Sequence, residues 1–102
     1  MFKLNPKLEA DTLQIGDFEL SRVLLMNDSR YPWIILVPRL ENVTELHQLS
    51  VPDRQQLIEE SCFVSEFILE KFSVAKMNVG ALGNVVSQLH LHHIGRHEKD
   101  PA

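Results

Sequence analysis

Gln88-Leu89-His90-Leu91-His92-His93-Ile94, near the end of a 102-residue chain, alternates between polar and apolar side chains. In an extended strand, residues two apart share a face. Gln88, His90, His92 and Ile94 then project one way, and Leu89, Leu91 and His93 the other. The leucines can lie against a core, which leaves an amide and two imidazoles in a row on the opposite side. The stretch predicts a core strand that carries a polar site.

Working outward, residues 77–82 read as a strand and Gly83-Asn84 as a turn, so that residues 85–94 are an approach followed by the final strand. Upstream, Ser50-Val51-Pro52-Asp53 has the chemistry of a helix start: a serine cap three residues before an acid, and a proline in the first turn. Leu57, Val64, Ile68 and Phe72 follow at helical spacing, flanked by Ile58, Cys62 and Leu69. A helix over residues 52–72 with a wide apolar stripe should lie flat on a sheet. Trp33-Ile34-Ile35-Leu36-Val37 is short, continuous and rich in β-branched residues, as expected of a strand buried on both faces. Leu13 and Ile15 alternate with polar neighbours, Gly16-Asp17 reads as a tight turn, and residues 18–26 as the returning strand of a hairpin. Residues 1–11 read as polar and irregular. The expected fold is α+β: a five-stranded antiparallel sheet with one long helix across a face. The connection through the helix is long enough to reach anywhere in the sheet, so strand order stays open.

The length suits one domain, residues 1–102, and its small core makes self-association reasonable. A formal net charge of −4 gives no basic surface for nucleic acid. Cys62 is the sole cysteine, which excludes an internal disulfide and a cysteine-rich zinc module; in an apolar helical run it reads as a packed thiol. No apolar run approaches the roughly 18 residues of a membrane span. The N-terminus has no secretory pattern, so a cytoplasmic protein is expected.

Four of the five histidines fall between positions 90 and 97. Neutral imidazole is a competent nucleophile near pH 7, and a neighbouring imidazole can give a proton or a hydrogen bond to a phosphate or a leaving oxygen. The spacing alone leaves three readings open: catalysis by nucleophilic attack on phosphorus, a transition-metal site built from His90, His92 and His97, or an incidental polar strand. His93, on the opposite face, reads as structural; His47 and His97 read as surface or packing residues.

The run Asn84-Val85-Val86-Ser87-Gln88-Leu89-His90-Leu91-His92-His93-Ile94-Gly95-Arg96 resembles the signature of the histidine triad (HIT) superfamily, and within it bacterial HIT-like hydrolases reading Gly-Asn-Val-Val-x-Gln-Leu-His. The resemblance implies a nucleotide-binding hydrolase or nucleotidyl transferase acting at an α-phosphate through a nucleotidyl-histidine; the alternative is a nucleotide-binding module with little activity, in which Gln88 marks a lost catalytic function. His90 matches the nucleophile and His92 the third histidine, which contacts the phosphate near the leaving group. Gln88 occupies the first triad position, where it can orient groups but carries no proton. Asn27 resembles the residue that holds the ribose hydroxyls, Asn84 falls where many members contact the phosphate, and Arg96 flanks the motif. The resemblance implies a purine nucleotide or nucleotide conjugate as ligand, no metal and no cofactor, and a homodimer. Members of this branch also run on past the equivalent of Asp-Pro-Ala, so a C-terminal segment is expected beyond Ala102.

Overall fold

The computed structural model describes residues 1–100. Five strands, β1 (Thr12–Asp17), β2 (Ser21–Met26), β3 (Trp33–Pro38), β4 (Lys76–Ala81) and β5 (Leu91–Arg96), form one antiparallel sheet in the order β1-β2-β3-β5-β4. Two helices, α1 (Pro6–Asp11) and α2 (Val51–Lys71), flank it. The crossover through α2 delivers β4 to the edge and lets β5 return to the centre beside β3. The histidine-bearing strand is therefore paired on both sides.

α2 begins where its cap chemistry predicts. The Ser50 hydroxyl accepts the Asp53 N–H at 3.2 Å, and Pro52 stands in the first turn, where no amide donor is missed. The face it buries is narrower than expected: Leu57, Glu60, Ser61, Val64 and Ile68, whereas Ile58, Cys62, Leu69 and Phe72 are exposed. α2 packs chiefly on β5, β3 and β4, so only one ridge of the helix meets the sheet. Val23, Ile34, Leu36 and Leu91 meet Leu57, Val64 and Ile68 there. Each such side chain contributes roughly 1.5–3 kcal/mol by leaving water.

Glu60 ties this layer to the first hairpin. Its buried carboxylate accepts the Leu20 N–H at 2.8 Å, the Ser21 N–H at 3.1 Å and a Gln56 amide hydrogen at 2.9 Å. That reversal lies at residues 18–20, not at Gly16-Asp17. β1 continues to Asp17 through a bulge between Gln14 and Gly16, where Gly16 takes a φ of 157° that a Cβ disfavours. β2 accordingly starts at Ser21 instead of Phe18.

Residues 1–5 are irregular as expected, but residues 6–11 form a helix. The Asn5 side chain accepts the Lys7 N–H at 2.8 Å and Pro6 opens α1, the same cap-then-proline device as at α2. Leu4 and Leu8 are buried against Leu24, Ile35, Val37 and Val86. This second cluster covers the sheet face opposite α2 and explains the two-sided burial of β3: Ile34 and Leu36 face the helix, Ile35 and Val37 face the N-terminal segment. Pairing of the last strand starts at Leu91 and runs to Arg96, later than the predicted start at Gln88. Residues 82–90 approach it as a loop, held by the Leu89 N–H donating to the Val43 carbonyl at 2.9 Å. No described helix is long and apolar enough to cross a membrane.

Candidate active site

Strand parity places His92 of β5 on the sheet face opposite α2, in register with Ile35 of β3 and Gly80 of β4. His90, one residue before the strand, emerges on the same side, and the two ring centroids are 4.9 Å apart at 71°. Both rings line a cleft of about 420 Å³ whose other walls are Lys7, Leu8 and Asp11 of α1, Met26 of β2, and residues 82–86 of the loop. His90 is buried, 5% exposed, while His92 is half-buried.

The hydrogen bonds give the two imidazoles opposite tautomers. His90 Nδ1 lies 2.6 Å from the Gln88 carbonyl oxygen, which can only accept, so Nδ1 carries the hydrogen and the neutral ring keeps its lone pair on Nε2. His92 Nδ1 lies 3.0 Å from Trp33 Nε1, and an indole N–H can only donate. His92 therefore accepts at Nδ1 and carries its hydrogen on Nε2. One ring offers a nucleophilic nitrogen and the other, its centroid 4.9 Å away, a hydrogen-bond donor.

Burial, and then repulsion from His90 and His93, push the His92 pKa down to about 4. Burial lowers that of His93 also, against the raising effect of the Ile34 and Leu91 carbonyls. His93 is fully buried on the α2 side, where its Nδ1 donates to the Ile34 carbonyl at 3.2 Å and its Nε2 accepts the Ser61 hydroxyl at 2.7 Å. It is a structural pin between β5 and α2, on the opposite face from the cleft as its position predicts.

These depressed values have a stability consequence. The unfolded chain binds protons at both histidines near the ordinary imidazole value of about 6.5, while the folded chain resists them. The histidine contribution is thus complete above that value and is lost as pH falls toward about 4. The urea midpoint should hold steady above pH 7 and decline between pH 6.5 and 4.5, before carboxylates titrate. A midpoint that stays flat from pH 7.5 to 5 would contradict the assignment.

Asn84 lines the same cleft as the two imidazoles. Asn27 is exposed just past the end of β2, beside Met26 of the cleft wall, and its N–H donates to the Asp11 carbonyl at 3.3 Å, but Asn27 itself does not line the cleft. Gln88 does not join the histidine row. Its side-chain oxygen accepts the Asn5 N–H at 2.8 Å and its amide donates to the Lys3 carbonyl at 2.9 Å, fastening the N-terminal segment ahead of α1. Because Gln88 precedes the paired part of β5, the strand alternation does not govern where its side chain points. A larger groove of about 650 Å³ lies on that side of Gln88, bordered by Lys3, Asn42 and Thr44, away from both cleft imidazoles. His97 lies past the end of β5, outside the cleft wall, and among the described residues no three metal-ligating side chains converge.

The sequence reading missed Lys7, Leu8 and Asp11 as cleft residues, and Trp33 as the partner of His92. Asn5-Pro6 was the available signal for the first three. Lys7 and Asp11, one helical turn apart, pair at 3.1 Å across the exposed rim.

The HIT domain family matches residues 7–99. No curated protein matches. A crystal structure of a histidine triad protein from Marinobacter aquaeolei VT8 is 51% identical, with a TM-score of 0.97, all of this chain covered and 74% of that one. A histidine triad protein from Bradyrhizobium japonicum is 42% identical at a TM-score of 0.95, over 99% of this chain and 75% of that one. One from Sinorhizobium meliloti 1021 is likewise 42% identical at 0.95, over 98% of this chain and 74% of that one. With the family matched over nearly the whole chain and two imidazoles side by side in a cleft, the chain belongs to the histidine triad (HIT) domain family.

Proposed function

We propose that this protein is a nucleotide-binding hydrolase or nucleotidyl transferase acting at the α-phosphate of a purine nucleotide conjugate, either a phosphoramidate, a dinucleoside polyphosphate or an ester. HIT proteins generally are nucleotide-binding hydrolases or transferases. The observation that carries the finer reading is the Nδ1–H of His90 aimed at the Gln88 carbonyl at 2.6 Å, which frees Nε2 toward the cleft.

In this mechanism His90 Nε2 attacks phosphorus as the bond to the leaving group breaks. The leaving group departs with the electron pair and takes a proton from solvent. The ring acquires positive charge, and the Gln88 carbonyl at Nδ1 stabilises it. Water then attacks the phosphorus, its proton passes to solvent, and the Nε2–P bond breaks to restore His90. His92 Nε2–H and the Asn84 amide supply donors to the phosphate oxygens. Leu8, Met26, Val85 and Val86 form an apolar wall for a flat base, and Asn27, beside Met26 and bonded to the Asp11 carbonyl, stands next to that wall to meet the ribose hydroxyls. Gln88 serves by holding the N-terminal wall of the cleft. No metal or cofactor takes part.

A homodimer belongs to the same reading. Ile15, Phe63 and Phe67 leave an exposed apolar groove of about 320 Å³ between α2 and the first hairpin, suited to a second copy. Crystals grown with AMP test both parts. The phosphorus should lie opposite His90 Nε2, and sedimentation should give about twice the 11.7 kDa chain mass. A phosphate bound away from His90 would remove the mechanism, and a monomer the assembly.

A further inference from the structure

We infer that Trp33 is a positioning residue that fixes His92 as a stationary hydrogen-bond donor to phosphate and denies it the role of proton-transferring acid. Trp33 opens β3 and pairs with Ile94, which places it diagonally from His92 on the cleft face of the sheet. Its indole is partly buried, 5.7 Å from the His92 ring at a tilt of 56°, and its Nε1–H meets Nδ1 at 3.0 Å.

The consequence is chemical. An imidazole can give away its Nε2 proton readily only if it starts as the cation or can take up another proton at Nδ1. Trp33 fills Nδ1 with a donor that does not transfer its hydrogen, and it cannot accept one from an imidazolium. The neutral ring is retained, and loss of its Nε2 proton would leave an imidazolate. His92 is therefore suited to stabilise charge on phosphate oxygens, with no proton moved. The groups around it do not replace the missing proton path. On the cleft side stand His90 and the mutually paired Lys7 and Asp11; Arg96 on the same strand bonds the Asn78 amide of β4; His93 points to the opposite face.

This rests on the proposed reaction at His90, but the first measurement does not depend on it. Nitrogen-15 spectra of histidine-labelled protein at pH 7.5 should show His92 protonated at Nε2 and bare at Nδ1. The opposite tautomer would overturn the inference, whatever the protein acts on. In Trp33→Phe, which keeps a ring and removes the donor, the two tautomers should mix and His92 should titrate closer to ordinary imidazole. With adenosine phosphoramidate as probe, kcat should fall about 10-fold at pH 7.5 with KM within about twofold, as for one lost transition-state hydrogen bond. The native enzyme should show no kinetic ionisation from His92 between pH 5 and 8, and the variant should gain an acid limb there. An unaltered kcat and pH profile in a variant whose tautomers have mixed would overturn the catalytic half of the claim. If native protein has the predicted tautomer yet turns over no nucleotide conjugate, the reaction fails and the Trp33 lock stands.

Discussion

His90→Asn is expected to lose at least about 10³-fold in turnover of an adenosine phosphoramidate, with AMP binding retained within a few-fold. Asparagine keeps a side-chain amide able to donate toward the Gln88 carbonyl, but it offers no basic nitrogen to phosphorus. The half-buried donor on His92 and the Asn84 amide remain, so the pocket should still hold a phosphate. Retained binding is what separates a missing nucleophile from a collapsed site. Rapid-quench analysis adds a second readout: native protein should accumulate a nucleotidyl adduct on His90 within the first turnover, and the variant none. Unchanged turnover in a folded variant would eliminate His90 as nucleophile. Tight AMP binding by native protein with no adduct and no turnover would make this a nucleotide-binding module instead.

How much of this could be read from sequence depended on whether a residue's environment was local. α2 was predicted within a residue of its observed ends, because Ser50 and Pro52 specify a start through contacts three residues away. His92 and His93 were assigned to opposite faces by strand period alone, and Ser61 and the cleft now occupy those faces. Gln88 shows where that logic stops. It was placed in the histidine row by alternation, but its partners Lys3 and Asn5 lie more than 80 positions away along the chain. Trp33 was legible as a strand residue only. That it meets His92 depends on β5 pairing with β3, a strand order that the long connection left undetermined. α1 was missed for a different reason. At six residues it has too few turns to display a period, and Asn5-Pro6 is its only local signal.

The same non-local packing makes Gly95→Ala the structural change of largest expected effect. Gly95 lies in β5 opposite Met77, on the face that meets α2, and its N–H donates to the Pro32 carbonyl at 2.9 Å. A Cβ built there would stand 2.8 Å from Pro32 Cγ, 2.8 Å from Val74 Cγ1 and 2.9 Å from Ile68 Cγ2. None of these atoms can step aside easily. The proline ring is rigid, valine and isoleucine are stiff at χ1, and Ile68 is wholly buried in the core. Relief requires α2 to lift from β5 or β5 to bow toward the cleft. Overpacking of this kind costs about 3 kcal/mol, which for a chain of this size lowers Tm by on the order of 10 °C or more. Urea unfolding should show a lower midpoint with an unchanged slope. A bowed β5 would also carry His92 away from Trp33, so the surviving folded fraction should lose activity at saturating substrate. Stability within about 0.5 kcal/mol of native would show that α2 is not in fact seated on β5 at this point.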